Sequence, residues 1–370
     1  MTRLNLPDIQ FAQKSAEQIE AEVVARFEEK ANVTLTKADP RRKFIQSFVY
    51  LLALQRSNID YSAKQNLLAY AQNNKLDHLG AFVDTPRLEP AFSKTTERFH
   101  LSVTQAQTIP TGTRVSAGDG IFFAVEKDVP VPVGKTYVDV EVICTQVGSI
   151  GNGYLPGQIN QLVDPIQWIQ SVENITESEG GSDVEEDDPY AERIQQAPEK
   201  FSVAGPDGAY KYWARSASPL IVDVSVESPA PVVVEIRPLL KGGEIPGQEI
   251  LDLVNQVCNN RNIRPLTDHV KVLAPEPITY DISLTYWIRT SESSVAASIR
   301  QKVEQAIQDY KVWQKSKLGR DIDPTELITR IKNAGAKRVA VVTPVYKAVA
   351  AHQVAVDLNT TVTYGGLEDD

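Results

Sequence analysis

Four histidines, two cysteines and 48 acidic side chains are the groups in this 370-residue chain best suited to proton transfer, nucleophilic attack or metal binding. His78, His100, His269 and His352 stand alone, outside any HxH, HExxH or Cys/His cluster, the spacings that put two ligands on one metal. They are expected to be surface or structural residues. Cys144 and Cys258 are far apart and suit small apolar fillers in a reducing compartment better than a disulfide framework. Gly148-x-x-Gly151-x-Gly153 has the spacing of a phosphate-cradling loop. That loop needs a strand before it and a helix after it, and here Tyr154-Leu155-Pro156-Gly157 follows, so a tight β-turn is expected. Asp183, Glu185, Glu186, Asp187 and Asp188 crowd together without the Gly and Glu positions of an EF-hand. They are read as a solvated loop or a charge-steering surface. With no G-x-S-x-G, phosphate-loop or C-x-x-C motif, the expectation is no catalytic residue, no cofactor and no metal.

Charge sharpens this reading. The chain carries 38 basic and 48 acidic residues, a formal net charge of −10. Nine of those acids fall in residues 173–192, which hold no Lys or Arg, so the remainder is nearly neutral. A general nucleic-acid binder or an anionic-membrane binder is not expected on that balance. No window of 18 uninterrupted apolar residues predicts a membrane span. The opening MTRLNLPDIQFAQ lacks the apolar core and small-residue cleavage site of a signal peptide, so none is expected, and synthesis in a cytoplasm is.

The elements that must position these residues fall into four stretches. Residues 8–30 show helical periodicity, with Ile9, Ala12, Ala16, Ile19, Val23 and Phe27 in a narrow seam of the coiled-coil kind. Asp39-Pro40 predicts the start of a second helix, reaching to about Asn73, with Ile45, Phe48, Leu52 and Ile59 as its stripe. Two readings stay open: a hairpin packed on its own body, or an arm that bundles with other chains. Residues 97–172 alternate in short Val, Ile and Thr-rich runs between glycine turns, the texture of an antiparallel β module. The acidic stretch with Gly180-Gly181 is expected to be a flexible linker, and a helix is expected around Pro189–Lys200 before a Gly/Pro break at 205–208. Two further modules each run strand, helix, strand without a βαβαβ repeat. The fold class is therefore α+β and multi-domain: N-terminal long helices, a central antiparallel β module and two C-terminal ferredoxin-like α+β modules. The expected boundaries are 1–85, 86–195, 196–276 and 277–370. Tyr212, Trp213, Trp287 and Trp313 are either core rings or interface anchors.

Four stretches resemble the baseplate J-like family of contractile phage tails and related injection particles. Leu76-Asp77-x-x-Gly80 followed by Arg87 resembles the stretch that closes the family's helical part. Ile109-Pro110-x-Gly112-Thr113, with Phe122 or Phe123 after it, resembles its hairpin. Gly148-x-x-Gly151-Asn152 then Pro156-Gly157 resembles its turn. Val172-Glu173-Asn174, Gly180-Gly181-x-Asp183 and Tyr190-x-x-Arg193 resemble its acidic junction. The four occur in the family's order.

The resemblance implies a structural wedge subunit, present in a sixfold ring around the hub and spike of a phage or tailocin baseplate and coupling its rearrangement to sheath contraction. Implied partners are a second wedge subunit, sister copies, the sheath-initiator protein and the hub, with neither nucleic acid nor membrane contacted directly. Ile9, Ala12, Ala16, Ile19, Val23, Phe27, Phe48, Leu52 and Ile59 are then interface residues. Asp77, Gly80, Pro110, Gly112, Gly148, Gly151, Asn152, Gly180, Gly181, Asp183 and Arg193 shape turns and junctions. A different class, a glycan- or ligand-binding tail-fibre-like β protein, would use exposed aromatics in residues 97–172.

Overall fold

A computed structural model describes residues 3–4, 6–202 and 205–369. The chain divides into two compact units, residues 1–87 with 186–197 and residues 88–185 with 198–370.

The first unit is helical: α1 Ala16–Ala31, α2 Pro40–Lys64, α3 Asn74–Phe82 and α4 Asp187–Gln196. A capping box starts α1, in which Ser15 Oγ accepts from Gln18 N and Gln18 Oε1 accepts from Ser15 N. The expected helix from residue 8 is therefore corrected to a later start. Residues 6–12 before it run as a strap, because Asp60 Oδ1 accepts the backbone N–H of Phe11 and Ala12 while Arg56 Nε donates to Ala12 O. Ile9 and Ala12 are not on the helical seam. Asp39 caps α2 with Pro40 at its first position, as the sequence predicts, but α2 ends at Lys64 rather than near Asn73. Ile19, Val24, Leu35, Ile45 and Val49 bury one another, so the two helices pack as a hairpin. A second cluster unites Ala71 and Leu76 with Tyr190, Ala191 and Ile194. Thus α4, expected with the β module, belongs to the helical unit.

The second unit begins with the β module: β1 Phe92–Leu101, β2 Gln107–Ile109, β3 Arg114–Ser116, β4 Phe122–Val125, β5 Val129–Val131, β6 Tyr137–Val147, β7 Gln161–Leu162 and β8 Ile169–Asn174. Six strands form an antiparallel sheet in the order β7-β3-β4-β6-β1-β8, and β2 pairs with β5. The sheet curls until β7 and β8 meet, giving a nearly closed barrel. Alternation along β1 points Ser93, Thr95, Glu97, Phe99 and Leu101 inward, onto Val115, Phe123 and Val142.

Two two-layer α+β sandwiches follow. The central one holds α5 Asp207–Arg215, β9 Ile221–Ala230, β10 Val233–Leu240, α6 Gln248–Cys258 and β11 His269–Val272, with sheet order β11-β10-β9. The last holds β12 Glu276–Arg289, α7 Ala296–Lys315, α8 Pro324–Asn333, β13 Arg338–Thr343 and β14 Gln353–Glu368, in the order β13-β12-β14. Each sheet has one parallel and one antiparallel pair. Helix α5 lies where the sequence reads only a Gly/Pro break and buries Tyr210 and Tyr212. Trp313 lies between Arg320 and Arg330, and Arg338 stacks on Trp287. Helix α6 turns Ile250, Val254 and Cys258 inward and leaves Leu253 outside.

Candidate assembly sites

The outer face of α2 is apolar and open. Phe44, Phe48, Leu51, Leu52, Leu54 and Ile59 are each 46–66% exposed, and the Phe44 and Phe48 rings meet edge to face at 4.9 Å. A groove of about 790 Å³ runs past Leu51, Leu54 and Ile59. A second, of about 330 Å³ between α2 and α3, shares Ser62 and Asn66 with it and ends at Phe82. Nearly every large apolar side chain here stands in water, the pattern that marks an interaction surface. At the head of α2, hydrogen bonds from Arg41 hold the Asp39 carboxyl down at about 2.

The structure divides the expected interface residues. Phe48, Leu52, Ile59 and Phe27 face outward, and Ala16 is exposed. Ile19 is buried inside the hairpin and Val23 packs against that core. Ile9 is exposed on the strap and Ala12 is held against Asp60. In this conformation Ile19 is unavailable to a partner, because it already fills the hairpin's own core.

The motif residues form three tight junctions. In the helical unit, Arg87 Nε pairs with Asp77 Oδ1 and its other end with Asp187 Oδ1, both at 2.8 Å. Arg87 and Arg193 flank the Tyr190 ring at 4.6 and 5.5 Å, and Tyr190 OH donates to Thr85 O. Arg193, buried, donates to Pro86 O at 2.6 Å. A Cβ on Gly80 would lie 2.0 Å from Tyr190 Oη, so only glycine leaves the ring its place. In the barrel, Thr113 N and Oγ1 donate to Pro110 O, with Gly112 at φ +80°. At the barrel's end, Asn152 and Gly181 exchange hydrogen bonds at 2.7 and 2.9 Å, and Ser149 donates to Asp183. Gly151 O accepts from both Ser93 and Ser178, and a Cβ on Gly181 would stand 2.4 Å from Gly148 O.

The expectation of a flexible acidic linker is therefore corrected. Residues 178–185 are pinned by bridges Lys94↔Glu179 and Ala91↔Ser182, and Ser178, Ser182 and Glu185 are buried. The acids are not simply solvated either: Glu185 accepts from Leu88 N, Asp187 from Asn73 N, and Asp188 pairs with Arg3. Asn174 shares this work, accepting from Ile159 N and donating to the carbonyls of Tyr154, Leu155 and Thr176. Its sequence signals were its place in the Val172-Glu173-Asn174 stretch of the acidic junction and its polarity at a buried strand position.

His100 lies 3.2 Å from Glu173, and His352 lies 2.9 Å from Glu227. Glu97 is wholly buried in the barrel and its carboxyl oxygens meet no hydrogen-bond partner. Burial, with the Glu173 charge second, pushes its carboxyl up to about 9. Among the described residues no three His, Cys, Asp or Glu side chains gather as a metal site, and no helix is long and apolar enough to cross a membrane.

Four family models match the chain in sequence: the baseplate J-like N-terminal domain at residues 37–90, the barrel domain at 96–181, the central domain at 202–274 and the C-terminal domain at 280–365. The chain belongs to the baseplate J-like family. Its barrel and both sandwiches coincide with three of the family's domains. A curated relative, baseplate protein J of Escherichia phage P2, is 33% identical over 162 residues, 44% of this chain and 53% of that protein. The matched stretch thus spans about half the length of the relative. A chain in the cryo-electron microscopy structure of the anti-feeding prophage baseplate, sixfold symmetrised, aligns over 91% of this chain and 90% of its own. Its TM-score is 0.41 and its identity 12%.

Proposed function

We propose that this protein is a structural wedge subunit of a contractile tail baseplate, in a phage or a phage-tail-like injection particle. The observation that carries the reading is the ordered run of four baseplate J-like domains, from residue 37 to residue 365. Its task is assembly rather than catalysis. The open apolar face of α2 supports this, since a soluble chain keeps such a face for a partner. In the proposed role the sandwiches take part in a sixfold ring around the hub and spike, with sister copies, a second wedge subunit and the sheath-initiator protein as neighbours. Helices of a neighbouring subunit lie on α2, and the particle's rearrangement is passed through these contacts to the sheath. The protein is made in a bacterial cytoplasm and ends in the released particle.

Co-expression with the products of adjacent reading frames, followed by light scattering, tests the reading. A stoichiometric hetero-complex is expected. Phe48→Glu combined with Leu52→Glu is expected to abolish it while leaving the melting temperature within a few degrees, because both side chains are exposed. A monomer indifferent to every neighbour overturns the proposal.

A further inference from the structure

The barrel and the central sandwich touch through two glutamate–glycine contacts that mirror each other. Glu179, in the barrel's last segment, extends its carboxylate to the start of α6, where Oε1 accepts the N–H of Glu249 at 3.1 Å. Its Oε2 occupies the space beside Gly247, where a Cβ would lie only 1.8 Å away. In return, the Glu249 carboxyl lies over Gly180, 2.5 Å from where a Cβ would stand. Gly180 has φ +86°, so a side chain is refused there twice, by space and by backbone. Each carboxyl therefore fits a glycine on the other module. Glu179 is fixed in turn by two backbone hydrogen bonds to Lys94 of β1.

This contact walls a groove of about 540 Å³ floored by Phe92, Ile143 and Leu253. The charged groups facing Glu249 are few. Lys94 comes from β1, Glu141 from β6 and Glu179 from the barrel's last segment. Glu126 and Asp252 stand on the groove's wall. Lys94 is already engaged with Glu141, at 3.5 Å. Three carboxyl groups, those of Glu141, Glu179 and Glu249, thus converge near the single ammonium of Lys94.

We propose that Glu179–Gly180 and Gly247–Glu249 form a proton-linked latch between barrel and central sandwich, closed when Glu249 carries its proton and loosened when it ionises. Burial pushes the Glu249 carboxyl up to about 7; Lys94 opposes this, and Glu179 and Glu141 add to it. The closed latch binds the proton more tightly than the open one. Its stability is therefore full below the ordinary carboxylate range and falls as pH rises toward about 7. Above that, Glu249 is ionised in both states and the dependence ends.

Hydrogen exchange on the full chain at about pH 5 and about pH 8, corrected for intrinsic rates, reads the latch directly. Protection of the Glu249, Glu179 and Lys94 amides is expected to fall about tenfold or more between the two. In Glu249→Gln, which keeps the shape and cannot ionise, those amides are expected to differ less than twofold. Glu249→Ala serves as a second non-ionising variant. Equal wild-type protection at both pH values overturns the proposal. So does a fall of the same size in the two variants, which would place the titrating group elsewhere.

Discussion

Glu97 shows how much a single inward position on a strand decides. The alternation of β1 sends its side chain into the barrel beside Phe99, and no partner there satisfies it. A carboxyl whose value rises from 4.5 to about 9 on folding favours the folded state only while protonated. Stability is thus fully present below about pH 4.5 and falls as pH climbs toward 9, by up to about 1.4 kcal/mol per unit. In Glu97→Gln this slope is expected to vanish, and the variant to outlast the native barrel under alkaline conditions. Urea unfolding at a series of pH values checks it, and an unchanged slope in the variant defeats the assignment. The motif glycines act at this same scale. Gly80, Gly151 and Gly181 are placed by what a Cβ would strike, namely Tyr190, Cys144 and the Gly148 carbonyl. Their family pattern was legible in the sequence, whereas their partners, up to about a hundred residues away, were not.

At the scale of elements, the first two helices show the limit of periodicity. Ile45, Phe48, Leu52 and Ile59 follow helical spacing, yet Ile45 faces α1 with Val49 while the other three face water. Two adjacent rows on one helix both satisfy spacings of three and four, and only the packing of α1 chooses between them. The two faces predict opposite outcomes. Ile19→Asp places a charge in the hairpin core and is expected to cost about 3 kcal/mol or more, unfolding α1 and α2 before any partner is involved. Circular dichroism melting of the isolated protein shows the loss. Intact helix content in Ile19→Asp would mean that the hairpin is held from elsewhere. The strap at residues 6–12 was hidden for a related reason. Its apolar spacing continues that of α1, but the Ser15–Gln18 capping box and the Asp60 carboxylate favour a break.

At the scale of the whole molecule, the barrel is an insertion. The chain leaves the helical unit after Arg87 and returns at Glu186, and α4 completes the core begun by Leu76. A fragment of residues 1–85 therefore lacks Tyr190, Ala191 and Ile194. It is expected to keep the α1–α2 hairpin while residues 66–85 exchange freely. Joining 1–87 to 186–197 through a short Gly/Ser linker restores the missing core. The Arg87–Asp187 pair, at 2.8 Å, shows that the two ends are close enough. Hydrogen exchange on the two chains decides the matter, and equal protection of Leu76 in both would show that α4 is dispensable.

The sequence by itself determined the α+β multi-domain class, most of the strands and helices, the cap at Asp39 and the family. Each of these rests on local spacing or on short motifs in order. Only the tertiary structure decided which face of α2 is open, that the acidic stretch is clamped rather than loose, and that α4 returns to the helical unit. It alone set Glu179 against Gly247, and Glu249 against Gly180. Such contacts depend on which distant backbone atoms come within about 3 Å of a carboxyl or a missing Cβ, a distance that no local pattern encodes.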